Sequence, residues 1–126
     1  AVIARCFGRP SLDAVLTSLA REAESGSAFA AKALQTIRAK SPTSVAIAFE
    51  QMRRGGALSF TEAMATEFRI VSRIVAGHEF YEGVRAVVID KDNAPRWRPD
   101  TIEALDAAAI AAYFASLGAD DLVLEV

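Results

Sequence analysis

Side chains able to carry out acid–base chemistry are concentrated in one short stretch of the sequence. His78 is the only histidine, and Glu79 and Glu82 follow it at a spacing that would place both carboxylates on one helical turn. An imidazole titrates near neutral pH and could act as a general base, and a carboxylate pair could share acid and base roles. A structural interpretation is simpler, because carboxylates at a helix start interact with its dipole and a histidine after a helix end satisfies the last carbonyls. We favour the structural interpretation and predict no catalytic residue here.

Cysteine and metal chemistry have little support in the sequence. Cys6 is the only cysteine, so it cannot form an intramolecular disulfide, and no histidine lies near it in the sequence to activate a thiolate. We predict a small buried residue at this position. His78 has no second histidine or cysteine nearby, so no metal site is predicted. The unpaired cysteine indicates a reducing compartment, and we predict a cytoplasmic location.

The densest basic segment of the chain consists of Arg85, Lys91, Arg96 and Arg98, with Trp97 among them. Such a cluster could hold the phosphates of a nucleotide-bearing cofactor beside an aromatic ring. It could equally be an ordinary solvated surface, which composition alone favours. The glycine motifs G-x-x-x-x-G-K-[ST] and G-x-G-x-x-G, which cradle phosphates, do not occur in the sequence. We therefore predict no bound cofactor.

Length and composition are those of one folded domain. The chain has 126 residues, of which 52% are hydrophobic and 24% are charged, and we predict a single domain over residues 1–126. Its 14 basic and 16 acidic residues give a formal net charge of −2, whereas nucleic-acid-binding proteins usually carry a basic excess. No apolar run approaches the roughly 20 residues that span a bilayer. Nucleic acid and membrane are therefore not expected as partners.

The elements that must position the candidate residues are helices. Ser11, Ser27, Ser41 and Ser59 each precede a run with helical apolar spacing and are typical N-caps. Ser59 together with Glu62 predicts a capping box. The expected apolar faces are Leu12, Val15, Leu16 and Leu19; Phe29, Ala33, Leu34 and Ile37; Val45, Phe49 and Met52; Phe60, Met64, Phe68, Val71 and Val75; and Ile110, Phe114 and Leu117 in a last helix from Asp106 to Leu117. These patterns predict an all-α fold of about five or six helices.

The segment 79–89 has two interpretations. Its β-branched end would suit a strand, whereas Phe80, Val84, Val87 and Val88 also fit a buried helix. Periodicity does not decide between the two for so short an apolar run. Both alternatives stay open at this point.

Two stretches of the sequence resemble a known family. The first comprises Ser41-Pro42-Thr43-Ser44, Gln51, Leu58-Ser59-Phe60 and Glu67-Phe68-Arg69-Ile70. The second runs without interruption from Gly77 to Asp92 and continues through Pro95-Arg96-Trp97-Arg98-Pro99. Both resemble the 3-hydroxyisobutyryl-CoA hydrolases, a family of the crotonase (enoyl-CoA hydratase/isomerase) superfamily. Weaker similarity extends from Cys6 to Phe114.

The resemblance implies that the chain is the multi-helical C-terminal domain of an enzyme that hydrolyses a branched hydroxyacyl-CoA thioester in valine breakdown. In that family an N-terminal crotonase core carries the oxyanion-hole amides and the catalytic carboxylates, and nothing in this sequence matches it. The chain alone is therefore expected to be inactive, with that core and the acyl-CoA substrate as partners, and self-association is expected. By analogy with enoyl-CoA hydratases, Val87 and Lys91 are the positions expected to approach CoA, ahead of Arg96 and Arg98.

Two alternatives to a thioester hydrolase remain. The chain could be the C-terminal part of an enoyl-CoA hydratase or isomerase, because the Glu82-Gly83 pair also occurs in those enzymes. It could also be a non-catalytic helical binding or assembly module derived from such an enzyme.

Overall fold

The computed structural model describes residues 1–124, and over that range it contains helices and no strand. The α-helices are α1 (Val2–Phe7), α2 (Leu12–Glu24), α3 (Ala28–Arg38), α4 (Pro42–Gly55), α5 (Phe60–Ile74), α6 (His78–Val84) and α7 (Ala107–Ala112). A π-helix, Arg85–Ile89, continues α6, and 3-10 turns occupy Ile102–Ala104 and Gly118–Asp120. The all-α prediction is confirmed, and the additional short helix α1 brings the number above our expectation.

The chain divides into two compact units. The first comprises Ala1–Lys40, which contains α1 to α3, and the second begins at Ser41 and contains α4 to α7. A single domain over 1–126 stays a prediction, and its last two residues lie outside the described part of the chain. Within residues 1–124, no helix combines the length and the apolar character that crossing a membrane requires.

The first unit is built around α2, which packs against both α1 and α3. Three residues of its predicted apolar face, Val15, Leu16 and Leu19, are buried, and the fourth, Leu12, is half-buried. Cys6 is completely buried in the same unit, as expected for a small core residue. Burial of apolar side chains removes their surface from water and is the main favourable term for these short helices.

The serine N-caps form as the sequence predicts. The hydroxyls of Ser11, Ser27 and Ser41 each accept a hydrogen bond from the backbone N–H three residues later, at 3.2–3.3 Å. Ser59 and Glu62 form the capping box, in which the Glu62 carboxylate accepts the Ser59 N–H at 2.8 Å and Glu62 N–H donates to the Ser59 hydroxyl at 3.3 Å. Each cap satisfies a backbone donor that has no partner inside the helix.

Helix α4 is rotated away from the orientation that its larger apolar residues predict. Ala46 and Ile47 are buried, whereas Met52 is 84% exposed. The guanidinium of Arg54, seven residues after Ile47 and so on the same helical face, lies 4.3 Å from the centre of the buried Phe114 ring. The prediction for Met52 was wrong, because contact with the segment after α7 orients this helix.

Helix α7 is shorter than predicted. It ends at Ala112 rather than Leu117, and Gly118, with φ of 65°, begins a 3-10 turn instead of ending the helix. Two arginines of α5 bond to the chain that follows α7. Arg73 donates to the carbonyls of Tyr113 and Ser116, both at 3.3 Å, and Arg69 forms a forked ion pair with Asp121, with Nε–Oδ1 at 2.8 Å. The Arg73 guanidinium thus donates to two backbone carbonyls that follow the end of α7.

The apolar stripe of α5 is exposed. We call Phe60, Met64, Phe68, Val71 and Val75 the α5 apolar face; their exposed fractions run from 37% at Phe68 to 74% at Phe60. The spacing correctly predicted one face, but Ile70, on a different side of the helix, is the buried residue of α5. An apolar helix face that is left in solvent is typical of an interaction surface.

Candidate functional site

Residues 92–98, which we call the strap, are held against α6 by hydrogen bonds between their backbone and three side chains of that helix. The Glu82 carboxylate accepts the Arg96 N–H at 2.7 Å, and the Glu79 carboxylate accepts the Arg98 N–H at 2.8 Å. His78 Nε2 lies 3.0 Å from the Arg96 carbonyl oxygen, in a hydrogen bond that requires the proton on Nε2. The three candidate acid–base residues are therefore brought together, and each of them bonds to the backbone of the strap.

Glu82 is the most strongly held of the three residues. It is only 8% exposed, and its carboxylate accepts from Arg85 Nε at 3.0 Å and Arg85 Nη2 at 2.8 Å as well as from the Arg96 amide. The Arg85 hydrogen bonds and then the Arg96 N–H lower the pKa of Glu82 to about 2. A carboxylate with so low a pKa has no proton to donate at neutral pH and is a weak base, and its bonds to Arg85 and the Arg96 amide support a structural role.

His78 and Glu79 begin α6 rather than ending α5. His78 is the first residue of α6, and the carbonyl that it contacts belongs to the strap. The expectation that His78 bonds to the last carbonyls of the preceding helix was therefore wrong. Glu79 lies in the first turn, as predicted, and also accepts a hydrogen bond from the buried hydroxyl of Ser41. Ser41, the cap of α4, is thereby linked through Glu79 to the strap.

The Trp97 ring packs on α6 at Gly83. A β-carbon built on Gly83 would lie 3.4 Å from Trp97 Cη2 and 3.8 Å from Cζ3. Glycine therefore leaves the space that the indole occupies, at the cost of a helix-interior glycine. The Glu82-Gly83 pair thus has a structural explanation at both positions, hydrogen bonding at Glu82 and ring packing at Gly83.

The segment 79–89 is helical, and its apolar residues are largely exposed. Phe80 is 48% exposed, and Val87 and Val88 in the π-helix are 60% and 61% exposed. The strand alternative was wrong, and the helix is not the buried one that we considered. Single-turn π-helices are frequent at functional positions, and this one presents Val87 to solvent.

Lys91 follows the π-helix in a left-handed conformation, with φ of 56°. Its side chain is exposed, and its ammonium makes no hydrogen bond or ion pair with the part of the chain that the structure describes. The guanidinium groups of Arg96 and Arg98 are likewise exposed and unpaired within residues 1–124. The basic side chains therefore face solvent while the backbone between them is held by α6.

A shallow cleft of about 250 Å³ lies between α4 and α5. It is mostly apolar, and Gln51 donates a hydrogen bond to Glu67 at its wall. Gln51, Leu58 and Glu67, which belong to the first stretch of family resemblance, all line this cleft. No group of three potential metal-ligating side chains occurs among residues 1–124.

Comparison with known proteins identifies the family. The Enoyl-CoA hydratase/isomerase family profile matches residues 1–114. The chain belongs to the enoyl-CoA hydratase/isomerase family. Membership agrees with the resemblance to the crotonase superfamily, which the sequence motifs predicted.

The relatives of this chain include two mitochondrial 3-hydroxyisobutyryl-CoA hydrolases. The one from Xenopus tropicalis is 41% identical over 118 residues, which are 94% of this chain and 30% of that protein. The one from Homo sapiens is 35% identical over 117 residues, which are 93% of this chain and 30% of that protein. The chain therefore spans about 30% of the length of these relatives.

Two solved structures are similar to nearly all of the chain. An enoyl-CoA hydratase from Rhodobacter sphaeroides has a TM-score of 0.86 at 33% identity, covering 97% of this chain and 35% of that one. A carnitinyl-CoA dehydratase from Mycobacterium thermoresistibile has a TM-score of 0.84 at 26% identity, covering 97% and 34%. Both of these chains are longer than this one, which covers about a third of each.

The expected cytoplasmic location was wrong. The relatives from Xenopus, Danio rerio and Homo sapiens are each named as mitochondrial proteins. A single unpaired cysteine indicates a reducing compartment but does not distinguish one such compartment from another.

The structure also shows contacts that sequence reasoning missed. Asp90 and Asp92 both bond to Arg85, and Ser41 bonds to Glu79. The spacing of Glu82 and Arg85 is a recognisable ion-pair signal on a helix. The aspartates carried no such signal, because their approach to Arg85 depends on the π-helix and on left-handed backbone.

Proposed function

We propose that the chain is the C-terminal part of an acyl-CoA thioester hydrolase of the 3-hydroxyisobutyryl-CoA type, as the resemblance implied. In this proposal it forms part of the acyl-CoA pocket, while the reacting groups lie in the N-terminal crotonase core of the same protein. The observation that carries the proposal is 41% identity to a 3-hydroxyisobutyryl-CoA hydrolase over 94% of the chain.

The supporting role follows from how the acid–base side chains are used. Thioester hydrolysis needs a group that moves a proton and donors directed at the developing oxyanion, and the latter are usually the largest catalytic contribution. His78, Glu79 and Glu82 are each occupied by the backbone of the strap. The chemistry is therefore assigned to the core, and this chain alone is expected to be inactive.

The contact with CoA is assigned to Val87 and Lys91. The exposed Val87 side chain offers an apolar surface on the π-helix that continues α6, and the Lys91 ammonium is available to an anion. Lysine binds phosphate as a compact point charge on a flexible stem. Both positions suit a ligand that combines phosphates with an apolar acyl-pantetheine arm.

The α5 apolar face is assigned to packing against the crotonase core. Its five apolar side chains lie on one side of a single helix and are exposed in this chain. An apolar surface of this kind is stabilised when a partner excludes water from it. Without the core, the same face should cause the chain to self-associate.

An enoyl-CoA hydratase or isomerase is the second candidate for the parent protein. The observation that favours it is the TM-score of 0.86 to a structure named as an enoyl-CoA hydratase. Hydration and thioester hydrolysis both act on CoA thioesters, but only hydrolysis releases a free thiol.

A two-substrate assay tests the proposed function. The full-length parent and the 126-residue chain are each incubated with 3-hydroxyisobutyryl-CoA and with a short enoyl-CoA. We expect thiol release from 3-hydroxyisobutyryl-CoA by the parent and no turnover by the chain. Hydration of the enoyl-CoA without thiol release would establish the second candidate, and turnover by the purified chain would place the reaction within these residues.

A further inference from the structure

Arg85 uses its whole hydrogen-bonding capacity inside the molecule. A guanidinium has five N–H donors, and those of Arg85 bond to Glu82 through Nε and Nη2, to Asp90 and Asp92 through Nη1, and to the Ala94 carbonyl through Nη2. The distances lie between 2.7 and 3.1 Å. The hydrogen bonds to Glu82, and then those to Asp92 and Asp90, raise the pKa of Arg85 above its ordinary value, so the group stays charged.

The guanidinium bonds of Arg85 and two backbone hydrogen bonds together hold the loop of residues 90–94. The Asp90 N–H donates to the Arg85 carbonyl at 2.8 Å, and the Asn93 N–H donates to the Ala86 carbonyl at 3.0 Å. Lys91 and Asn93 have φ of 56° and 51°, a conformation that costs energy for residues with a β-carbon. The Arg85 bonds offset that cost, since they join both ends of the loop to the π-helix.

The Arg85 bonds also control the charge around Lys91. Asp90 and Asp92 flank the lysine in sequence, and either carboxylate is a natural ion-pair partner for its ammonium. Both carboxylates instead lie 2.7–2.8 Å from Arg85 Nη1. The Lys91 ammonium is consequently left without an intramolecular partner in the described part of the chain.

We propose that Arg85 is a positioning residue for the Lys91 ammonium. It holds the 90–94 loop in its left-handed conformation and occupies the two aspartates that would otherwise pair with Lys91, so that the ammonium can bind a CoA phosphate. This inference rests on the proposed contact between Lys91 and CoA. Arg85 itself does not touch the substrate, and its effect on binding passes through Lys91.

A double-mutant cycle in the full-length parent tests the proposal. The proteins are wild type, Arg85→Gln, Lys91→Ala and the double variant, and Arg53→Gln on the exposed side of α4 is the matched control. KM and kcat are measured with 3-hydroxyisobutyryl-CoA, and Ki is measured with free coenzyme A. We expect each single variant to raise KM and Ki roughly tenfold with kcat nearly unchanged, as for loss of one charged hydrogen bond. The double variant should bind no more weakly than Lys91→Ala.

The outcomes separate the inference from the proposed function. The positioning role would be overturned if the increases in KM and Ki of the two single variants multiplied in the double variant. It would also be overturned if Arg85→Gln bound normally while Lys91→Ala bound weakly. Either result would leave the CoA contact standing. Normal binding by Lys91→Ala would remove the contact and the inference together, while the thiol-release assay would still report on the parent activity. Should Arg85→Gln fail to fold, Arg85→Lys replaces it; that variant keeps the charge but not the fork, and normal KM and Ki would overturn the proposal.

Discussion

The Arg96 amide donates a 2.7 Å hydrogen bond to the carboxylate of Glu82, fourteen residues earlier in the chain. This bond joins α6 to the strap, and the same carboxylate is held in place by Arg85. Glu82, which the sequence offered as a candidate acid–base residue, thus holds the backbone of the strap in place. The exposed side chains at this site include Val87 and Lys91, which the proposed function assigns to contact with CoA.

Replacing Glu82 with glutamine should destabilise the chain. A neutral amide offers one acceptor atom and turns an N–H group toward the Arg85 guanidinium, so the charged hydrogen bonds are lost. We expect the melting temperature at neutral pH to fall by several degrees, as measured by circular dichroism. Glu24→Gln at the exposed end of α2 is the control, and it should melt close to wild type.

The effect of this substitution should depend on pH in a defined direction. Because the pKa of Glu82 is lowered from 4.5 to about 2 in the folded chain, its ionised form stabilises the fold above about pH 4.5. That contribution disappears as the pH falls from 4.5 toward 2. The difference in melting temperature between wild type and Glu82→Gln should therefore shrink across this window. A difference that stays constant down to pH 2 would contradict the assignment.

Substitution of Gly83 should report on the packing of Trp97. Alanine places its β-carbon at ordinary contact distance, 3.4 Å from the indole, and gains up to about 1 kcal/mol of helix propensity. Gly83→Ala should therefore be nearly neutral or slightly stabilising. Gly83→Val adds two methyl groups and should displace the ring, shifting fluorescence of the only tryptophan to longer wavelength and lowering the melting temperature. Identical emission spectra for the two variants would show that the ring does not depend on this position.

A charge on the α5 apolar face should weaken association. Val71 is 51% exposed within that face, so Val71→Asp should leave helix content unchanged while raising the dissociation constant for the crotonase core at least tenfold, as for interface hot spots. Sedimentation velocity of the chain alone and in mixture with the core measures both kinds of association. Ala57→Asp, which adds the same charge at an exposed site outside α5, is the matched control. Equal effects of the two substitutions would exclude the α5 apolar face as the contact.

Local signals in the sequence predicted local structure well. The serine caps and the Ser59–Glu62 capping box formed as expected because each depends only on residues within one helical turn. The apolar spacing of α2 was also sufficient, since its neighbours α1 and α3 cover the face that the larger side chains define. The family resemblance of residues 77–99 identified the stretch that contains the strap and the π-helix.

The sequence by itself determined that this chain is all-α, where most of its helices begin, and to which superfamily it belongs. Tertiary structure alone decided which faces are buried, because a helix is rotated by what packs against it: Ala46 of α4 is buried, while Met52 and the α5 apolar face stay exposed. It also decided the role of the charged residues. Glu82 pairs with Arg85 at helical spacing, but Asp90 and Asp92 reach Arg85 only after a π-helix and left-handed backbone reverse the chain. No spacing rule for regular helices predicts that approach, since the charges meet through loop geometry rather than through a helical repeat.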